Sequence, residues 1–326
     1  MAYTTIDNPE LYFQTKLYTG NGSTQSITLD GDEDMQPDMV WLKVRSTTGD
    51  HGVFDDQRGG TTNFIRPNKT NAEATSDSIS SLNSDGFSLG AGWNDNTATF
   101  VAWCWKESAT AGFDIVTYTG NETDDTDISH SLSAVPHAIL VKKRNGGTNW
   151  VVYHQGMDNT HGMYLDTTDA KVDSAAFWSD EDPTSSVFTL GDSGSVNGNT
   201  DTFVAYLFSE KQGFSKFGSY SGNGNADGAF IYTGFRPAWV MIKRTSSTQN
   251  WYIWDSKRLG YNVDNNHLQA QGSDAEGPAD TLDLLSNGFK IRESGVGTNG
   301  SGDTYIYMAF AEQPFVNSNG VPCNAR

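Results

Sequence analysis

The residues with the most to offer chemically in this 326-residue chain sit at the ends of three short aromatic runs. Asp55 closes His51-Gly-Val-Phe-Asp55, His154 closes Trp150-Val-Val-Tyr-His154, and Asp255 closes Trp251-Tyr-Ile-Trp-Asp255. Arg58 and Arg258 follow the two aspartates by three residues. A carboxylate tuned by a guanidinium can act as an acid or a base. It can equally form an ion pair that ties a hairpin to its neighbour. Two of the three runs keep the pair and no partner acid is evident beside either. Structural ion pairs are therefore expected for Asp55 with Arg58 and for Asp255 with Arg258.

Other reaction classes find less support. A glycosidase needs two carboxylates flanking one sugar, and no apolar strand carries alternating Glu and Asp. No Gly-x-Ser-x-Gly elbow is present. The histidines at 51, 130, 137, 154, 161 and 267 lack the spacing of a zinc site. The acidic stretches Asp30-Gly-Asp-Glu-Asp34 and Glu122-Thr-Asp-Asp-Thr-Asp127 invite a calcium reading. An EF-hand loop from Asp30 would need Gly at 35 and Glu at 41, where Met35 and Trp41 stand. Structural calcium is not supported, and the expectation is no catalytic residue, no metal and no cofactor. Trp93, Trp150, Trp178, Trp251 and Trp254 lie in or beside loops and hairpins, where an exposed indole could stack on a sugar. The competing reading is that they fill cores.

The elements that hold these residues recur three times. Pro37-Asp-Met-Val-Trp-Leu-Lys43, Pro136-His-Ala-Ile-Leu-Val-Lys142 and Pro237-Ala-Trp-Val-Met-Ile-Lys243 each place a Lys six residues after the Pro. The period of about 100 residues is that of a small β domain rather than a solenoid repeat. Each run is apolar on both faces until its Lys, as in a strand buried on both sides. Asp85-Gly86 and Asn287-Gly288 are hairpin turns. Asn94, Asn197 and Asn299 each stand five residues before the Thr that opens a closing strand, and a turn-capping role is their simplest use. The Pro, Lys and Asn triplets together read as repeat scaffold.

The fold class is all-β: three tandem jelly-roll or lectin-like β-sandwich repeats. The boundaries are an N-terminal docking arm at 1–16, repeats at 17–109, 110–212 and 213–316, and a tail at 317–326. The arm is too apolar to stay in water and is expected to dock on a neighbouring domain or subunit. The linkers are too short for free tumbling, so one rigid body is expected. A pseudo-threefold cluster and a helical stack are equally compatible with the sequence.

A net charge of −19 disfavours nucleic-acid partners. No apolar run is long enough for membrane insertion and no secretion signal is visible, so synthesis in the cytoplasm is expected. Cys104 reads as a buried thiol and Cys323 as a tail thiol.

Several phrases carry a resemblance: Gly234-Phe-Arg-Pro-Ala-Trp-Val-Met-Ile-Lys-Arg244, Asn250-Trp-Tyr-Ile-Trp-Asp-Ser-Lys-Arg258, Leu285-Ser-Asn-Gly-Phe289, Tyr305-Ile-Tyr-Met-Ala-Phe-Ala-Glu-Gln-Pro-Phe315 and the ending Pro322-Cys-Asn-Ala-Arg326. Over nearly its whole length the chain resembles a repeat family of tailed-bacteriophage virion proteins, marine phages especially, with lectin-like (concanavalin A-like) sandwich repeats and tail-fibre-like members. The resemblance implies a non-enzymatic structural protein on the virion surface, either a capsid decoration or a head or tail fibre component. Other virion proteins and further copies of the chain would be its partners. A host-glycan-binding lectin is the alternative, and a glycan-degrading enzyme a weaker one.

Overall fold

The structure, a computed structural model, describes residues 2–258, 262, 266–278 and 281–323. The ending Asn324-Ala-Arg326, part of the resemblance and of the expected tail, lies outside the described residues. Strands make up 42% of the chain and helix 3%, in separate antiparallel sheets, which makes it an all-β sandwich protein.

The first segment shows how the sequence produces this. Its strands are β1 (Phe13–Thr19), β2 (Gln25–Ile27), β3 (Met39–Val44), β4 (Gly52–Asp55), β5 (Asn63–Ile65), β6 (Ala74–Thr75), β7 (Ile79–Asn83), β8 (Gly86–Leu89) and β9 (Thr99–Trp105). They form a large sheet in the order β1-β9-β3-β4-β5-β6 and a small one in the order β2-β8-β7. Asp85-Gly86 makes the β7–β8 turn. Gly86 has φ +109°, and a Cβ there would lie 2.0 Å from the Ile27 carbonyl oxygen, so only glycine fits.

Two further segments repeat the plan. In the second, Phe113–Thr119, Thr202–Phe208, Ala138–Lys143, Val151–His154, His161–Tyr164 and Val172–Asp173 form the large sheet in that order, beside the pair Thr126–Ser129 and Val187–Leu190. The third orders Ser215–Ser221, Thr304–Pro314, Phe235–Arg244, Trp251–Asp255 and Leu268–Gln269, beside Phe230–Tyr232, Gly288–Ile291 and Leu282–Leu285. One expectation needs correction at its edge. β1 already begins at Phe13, because Phe13 pairs with Trp105 at the end of β9, so residues 13–16 belong to the sheet rather than to an arm. The second segment also holds a one-turn helix, Ala175–Trp178, which tucks Phe177 and Trp178 into its core.

Alternation explains the two-sided burial. On β3, Val40, Leu42 and Val44 face the small sheet, in a cluster with Ile27, Ile79, Phe87 and Leu89. Met39 and Trp41 point the other way, into a cluster shared by all three large sheets. There Trp105, Phe208 and Phe310, each six residues into its closing strand, converge. Phe310 lies 5.7 Å from Trp105 and 5.7 Å from Phe208, centroid to centroid. Burying each such ring contributes about 1.5–3 kcal/mol, and edge-on aromatic contacts add to it. The N-terminal residues close over this core. Ile6 is 3% exposed within it, and the Tyr3 hydroxyl donates to the Gly234 carbonyl of the third segment at 2.8 Å.

The three large sheets meet along three seams that close a ring. Lys142 of the second segment donates to the Thr70 carbonyl of the first at 3.2 Å. Lys243 of the third donates to Thr168 of the second at 3.3 Å, and Lys43 of the first to Ser273 of the third at 3.4 Å. Each contact is head to tail and the third returns to the start, so the arrangement is a closed pseudo-threefold rather than a stack. Of the two packings the sequence left open, the structure adopts the cluster.

Cys104 is fully buried and burial pushes its thiol well up, whereas Cys323 is partly exposed. A thiol reagent is therefore expected to label one cysteine in the native protein and two in denaturant, read by mass spectrometry of the labelled chain.

Candidate functional site

The seams hold most of the residues that sequence patterns single out. Between the first and second segments, Arg58 Nε donates to Asp55 Oδ2 at 2.6 Å, and the Tyr206 hydroxyl reaches the same oxygen at 2.5 Å. Arg58 Nη1 continues to Glu73 Oε2 at 2.9 Å, and Glu73 is gripped from the second segment by Arg144 at 3.0 and 3.1 Å. Between the third and first segments the same network recurs. Arg258 and Trp103 Nε1 both bond Asp255 Oδ2, at 2.6 and 2.9 Å, while Arg45 clamps Glu276 at 2.7 and 3.1 Å. Asp55, Arg58, Asp255 and Arg258 are each at most 2% exposed. Burial alone would weaken the Arg58 charge, but Tyr206, Asp55 and Glu73 outweigh it and hold its pKa above the ordinary value. These carboxylates are sealed from any substrate.

The remaining seam replaces every charged member at once. At the seam between the second and third segments, the second supplies His154 in place of Asp, Met157 in place of Arg58 and Lys171 in place of Glu73, and the third supplies Thr245 in place of Arg144 and Met308 in place of Tyr206. Met308 has no proton to donate. His154 instead takes the neutral form, with Nδ1 accepting from the Gly156 N–H and Nε2 donating to the Tyr307 carbonyl at 3.0 Å. Burial lowers its pKa to about 4. Glu73 and Glu276 are the partners that sequence reading missed.

Next to these networks sits a second set of equivalent groups. Trp150 Nε1 donates to the Arg66 carbonyl at 2.8 Å, Trp251 Nε1 to Tyr164 at 2.9 Å, and His51 Nε2 lies 3.1 Å from the Gln269 oxygen. His51 leaves room that Trp41 fills, donating to His51 Nδ1 at 2.8 Å, where the other segments have Leu140 and Met241. The buried Lys43, Lys142 and Lys243 each also donate to the next carbonyl in their own chain, at 2.7, 2.9 and 2.7 Å.

Burial lowers these three lysines to about 8, 8 and 7. Their folded pKa values lie below the unfolded value, so between about pH 7 and pH 10 the unfolded chain binds more protons. Stability should then rise with pH, by on the order of 1 kcal/mol per lysine after allowance for their carbonyl partners. Above pH 10 the trend should reverse as buried tyrosines such as Tyr18 and Tyr118, raised by burial, ionise in the unfolded chain only. Denaturant midpoints measured from pH 7 to 11 test both arms; a flat or falling profile below pH 9.5 would contradict the assignment.

Asn94, Asn197 and Asn299 are fully buried and fasten loops. Each accepts from a backbone N–H of the Gly-Asn turn, namely Asn21, Asn121 and Asn223, at 2.9–3.1 Å. Each amide nitrogen donates back to carbonyls on both sides, such as Thr123 and Gly191, both at 2.9 Å from Asn197.

The tryptophan expectation is corrected. Trp150, Trp178, Trp251 and Trp254 are at most 2% exposed and Trp93 is only half-buried, wedged edge-on between Phe54 and Phe64. No free indole face is offered to solvent at the first four, because each packs within or between sheets. One of them nevertheless borders a cleft. In the third segment Tyr252, Trp254, His267, Thr281, Glu293 and Val296 line an open cleft of about 380 Å³. Tyr252 packs 5.2 Å from His267 and 5.8 Å from Trp254, centroid to centroid. Burial lowers the His267 pKa, so its ring is neutral.

The fold and seams define a closed β-sandwich body of three large sheets, each backed by a smaller one. The chain belongs to the family described as Domain of unknown function (DUF7483), whose match covers residues 8–314 and so runs through all three large sheets. No curated protein matches it. Among the described residues no helix is long and apolar enough to cross a membrane, and no group of three His, Cys, Asp or Glu side chains is placed to hold a metal ion.

Proposed function

We propose that this chain is a non-enzymatic structural protein displayed on the surface of a tailed-phage virion, as a capsid decoration or a head or tail fibre component. The observation that carries this reading is the closed ring of seams. Its conspicuous acid and base groups are spent internally, in networks that lock three sheets into one body. A net charge of −19 suits a particle-surface protein that must stay soluble. The surface for attachment to other virion proteins lies in the third segment. Phe230 and Tyr232 are 46% and 52% exposed on the outer strand of its small sheet, where the first segment has Ser26 and Thr28 and the second Asp127 and Ser129. Exposed aromatic pairs of this kind mark contact sites.

Cryo-electron microscopy of the intact particle tests the proposal. Density for the chain over capsid three-fold or quasi-three-fold positions would establish decoration, and density on the tail or a vertex would establish a fibre or adaptor role. Absence of the chain from purified particles would overturn the reading.

A further inference from the structure

The three segments treat one position differently. Between the large sheet and the loop before each scaffold Asn, the first segment inserts Trp93, whose ring lies 2.8 Å from where a Cβ on Gly52 would stand. The second fills the equivalent place from its one-turn helix, with Trp178 edge-on to Tyr153 at 5.7 Å and Phe177 edge-on to Tyr164 at 6.0 Å. In the third segment the residue equivalent to Trp93 is Thr298, as the matching bonds from Tyr18, Tyr118 and Tyr220 to the carbonyls of Trp93, Val196 and Thr298 show. There Tyr252, which stands where the first segment has Gly52, takes up part of the place with its own ring, and a cleft stays open beside it and Trp254.

Its lining is unlike a leftover void. Three buried polar atoms in its wall, Trp254 Nε1, His267 Nδ1 and Thr281 Oγ1, have no hydrogen-bond partner among the described residues. Unpaired buried groups of this kind cost about 1–3 kcal/mol each, and because each is almost wholly covered, a ligand would recover that cost only through a small shift of the wall. The opposite wall is preorganised. The Tyr305 hydroxyl holds the Val296 carbonyl at 2.8 Å, Asn299 holds the Glu293 carbonyl at 2.7 Å, and Thr298 Oγ1 bonds Glu293 Oε1 at 2.6 Å.

We infer that this cleft is a binding site for a pyranose sugar, neutral or amino-substituted. The aromatic wall of Tyr252 suits the apolar face of a sugar ring. The unpartnered indole, imidazole and hydroxyl groups, with the Glu293 carboxylate, suit its hydroxyls. A carboxylate in an acidic protein disfavours phosphorylated or uronic sugars. The inference stands apart from the virion reading, since a sugar could be bound wherever the protein is displayed.

Saturation-transfer NMR on the full chain tests it, with methyl glucoside, methyl galactoside, methyl mannoside and N-acetylglucosamine as probes. The expected result is saturation of at least one probe, weakened at least tenfold by Tyr252→Ala and abolished by Val296→Trp. Val296 is 53% exposed at the rim, so the larger side chain can cover the cleft without disturbing the core. An unchanged melting temperature in Val296→Trp separates blocked binding from misfolding. No saturation of any probe, or equal saturation in wild type and both variants, would overturn the inference.

Discussion

Asp255→Ala is expected to destabilise the protein by about 3–5 kcal/mol, the range for removing one partner of a buried ion pair. The substitution leaves the Arg258 guanidinium, fully buried, with a lost carboxylate and with Glu276 3.5 Å from Nη1 as its remaining acid. It also strips Trp103 Nε1, on the adjoining sheet, of its acceptor. The effect should therefore appear at the seam between the third and first segments as well as within the third. A denaturant midpoint little different from wild type would mean that the network is not what closes the ring. The reciprocal experiment is sharper. His154→Asp places a carboxylate opposite Met308 and Met157, neither of which can donate to it, and should cost a comparable amount. Adding Met157→Arg and Met308→Tyr to His154→Asp rebuilds the partners seen around Asp55, and should recover part of the loss as a favourable coupling energy.

The same network shows why some of the structure could be read in advance and some could not. The strands were legible because alternation and two-sided apolar runs are local signals. Met39 to Val44 needed no knowledge of its neighbours to look buried on both faces, and Asp85-Gly86 and Asn287-Gly288 carry their turn geometry in two residues. The seam chemistry was not legible within any one copy. Copy one pairs Asp55 with its own Trp103 in sequence, copy two His154 with Tyr206, and copy three Asp255 with Met308, which shows no pattern. Shifted by one segment around the ring, the pairs become Asp55 with Tyr206, His154 with Met308 and Asp255 with Trp103, so that each carboxylate meets a donor and the neutral His154 meets the one side chain that has none to give. The same shift matches Glu73 to Arg144 and Glu276 to Arg45. A closed ring was the missing premise, and composition cannot supply it. The tryptophans failed for a related reason: a hairpin indole looks exposed until another sheet is known to cover it, as the first segment's Arg66 carbonyl covers Trp150.

Asn197→Asp should destabilise more than its change of one group suggests, by about 3 kcal/mol or more, because it converts a buried donor into a buried charge. In the native protein the Asn197 amide nitrogen donates to the Thr123 and Gly191 carbonyls while its oxygen accepts from the Asn121 N–H. An aspartate keeps the accepting oxygen but points its second oxygen at two carbonyl oxygens, with no solvent to soften the repulsion. Alanine at the same place removes all three bonds but introduces no charge, so Asn197→Ala should be the milder change. That order inverts what similarity of shape would predict. The carboxylate can escape by binding a proton, which gives a second signature. Its pKa would be raised in the folded state, so the deficit of Asn197→Asp relative to Asn197→Ala should shrink as the pH falls from 7 toward about 4 and level off below that, where the unfolded aspartate is protonated as well. Denaturant midpoints for both variants at pH 7 and pH 4 read both effects. If aspartate proves milder than alanine at pH 7, the buried amide is not the clip that joins the Gly-Asn turn to the closing strand. The equivalent changes at Asn94 and Asn299 should follow the same order, since each carries the same bonds to its own turn.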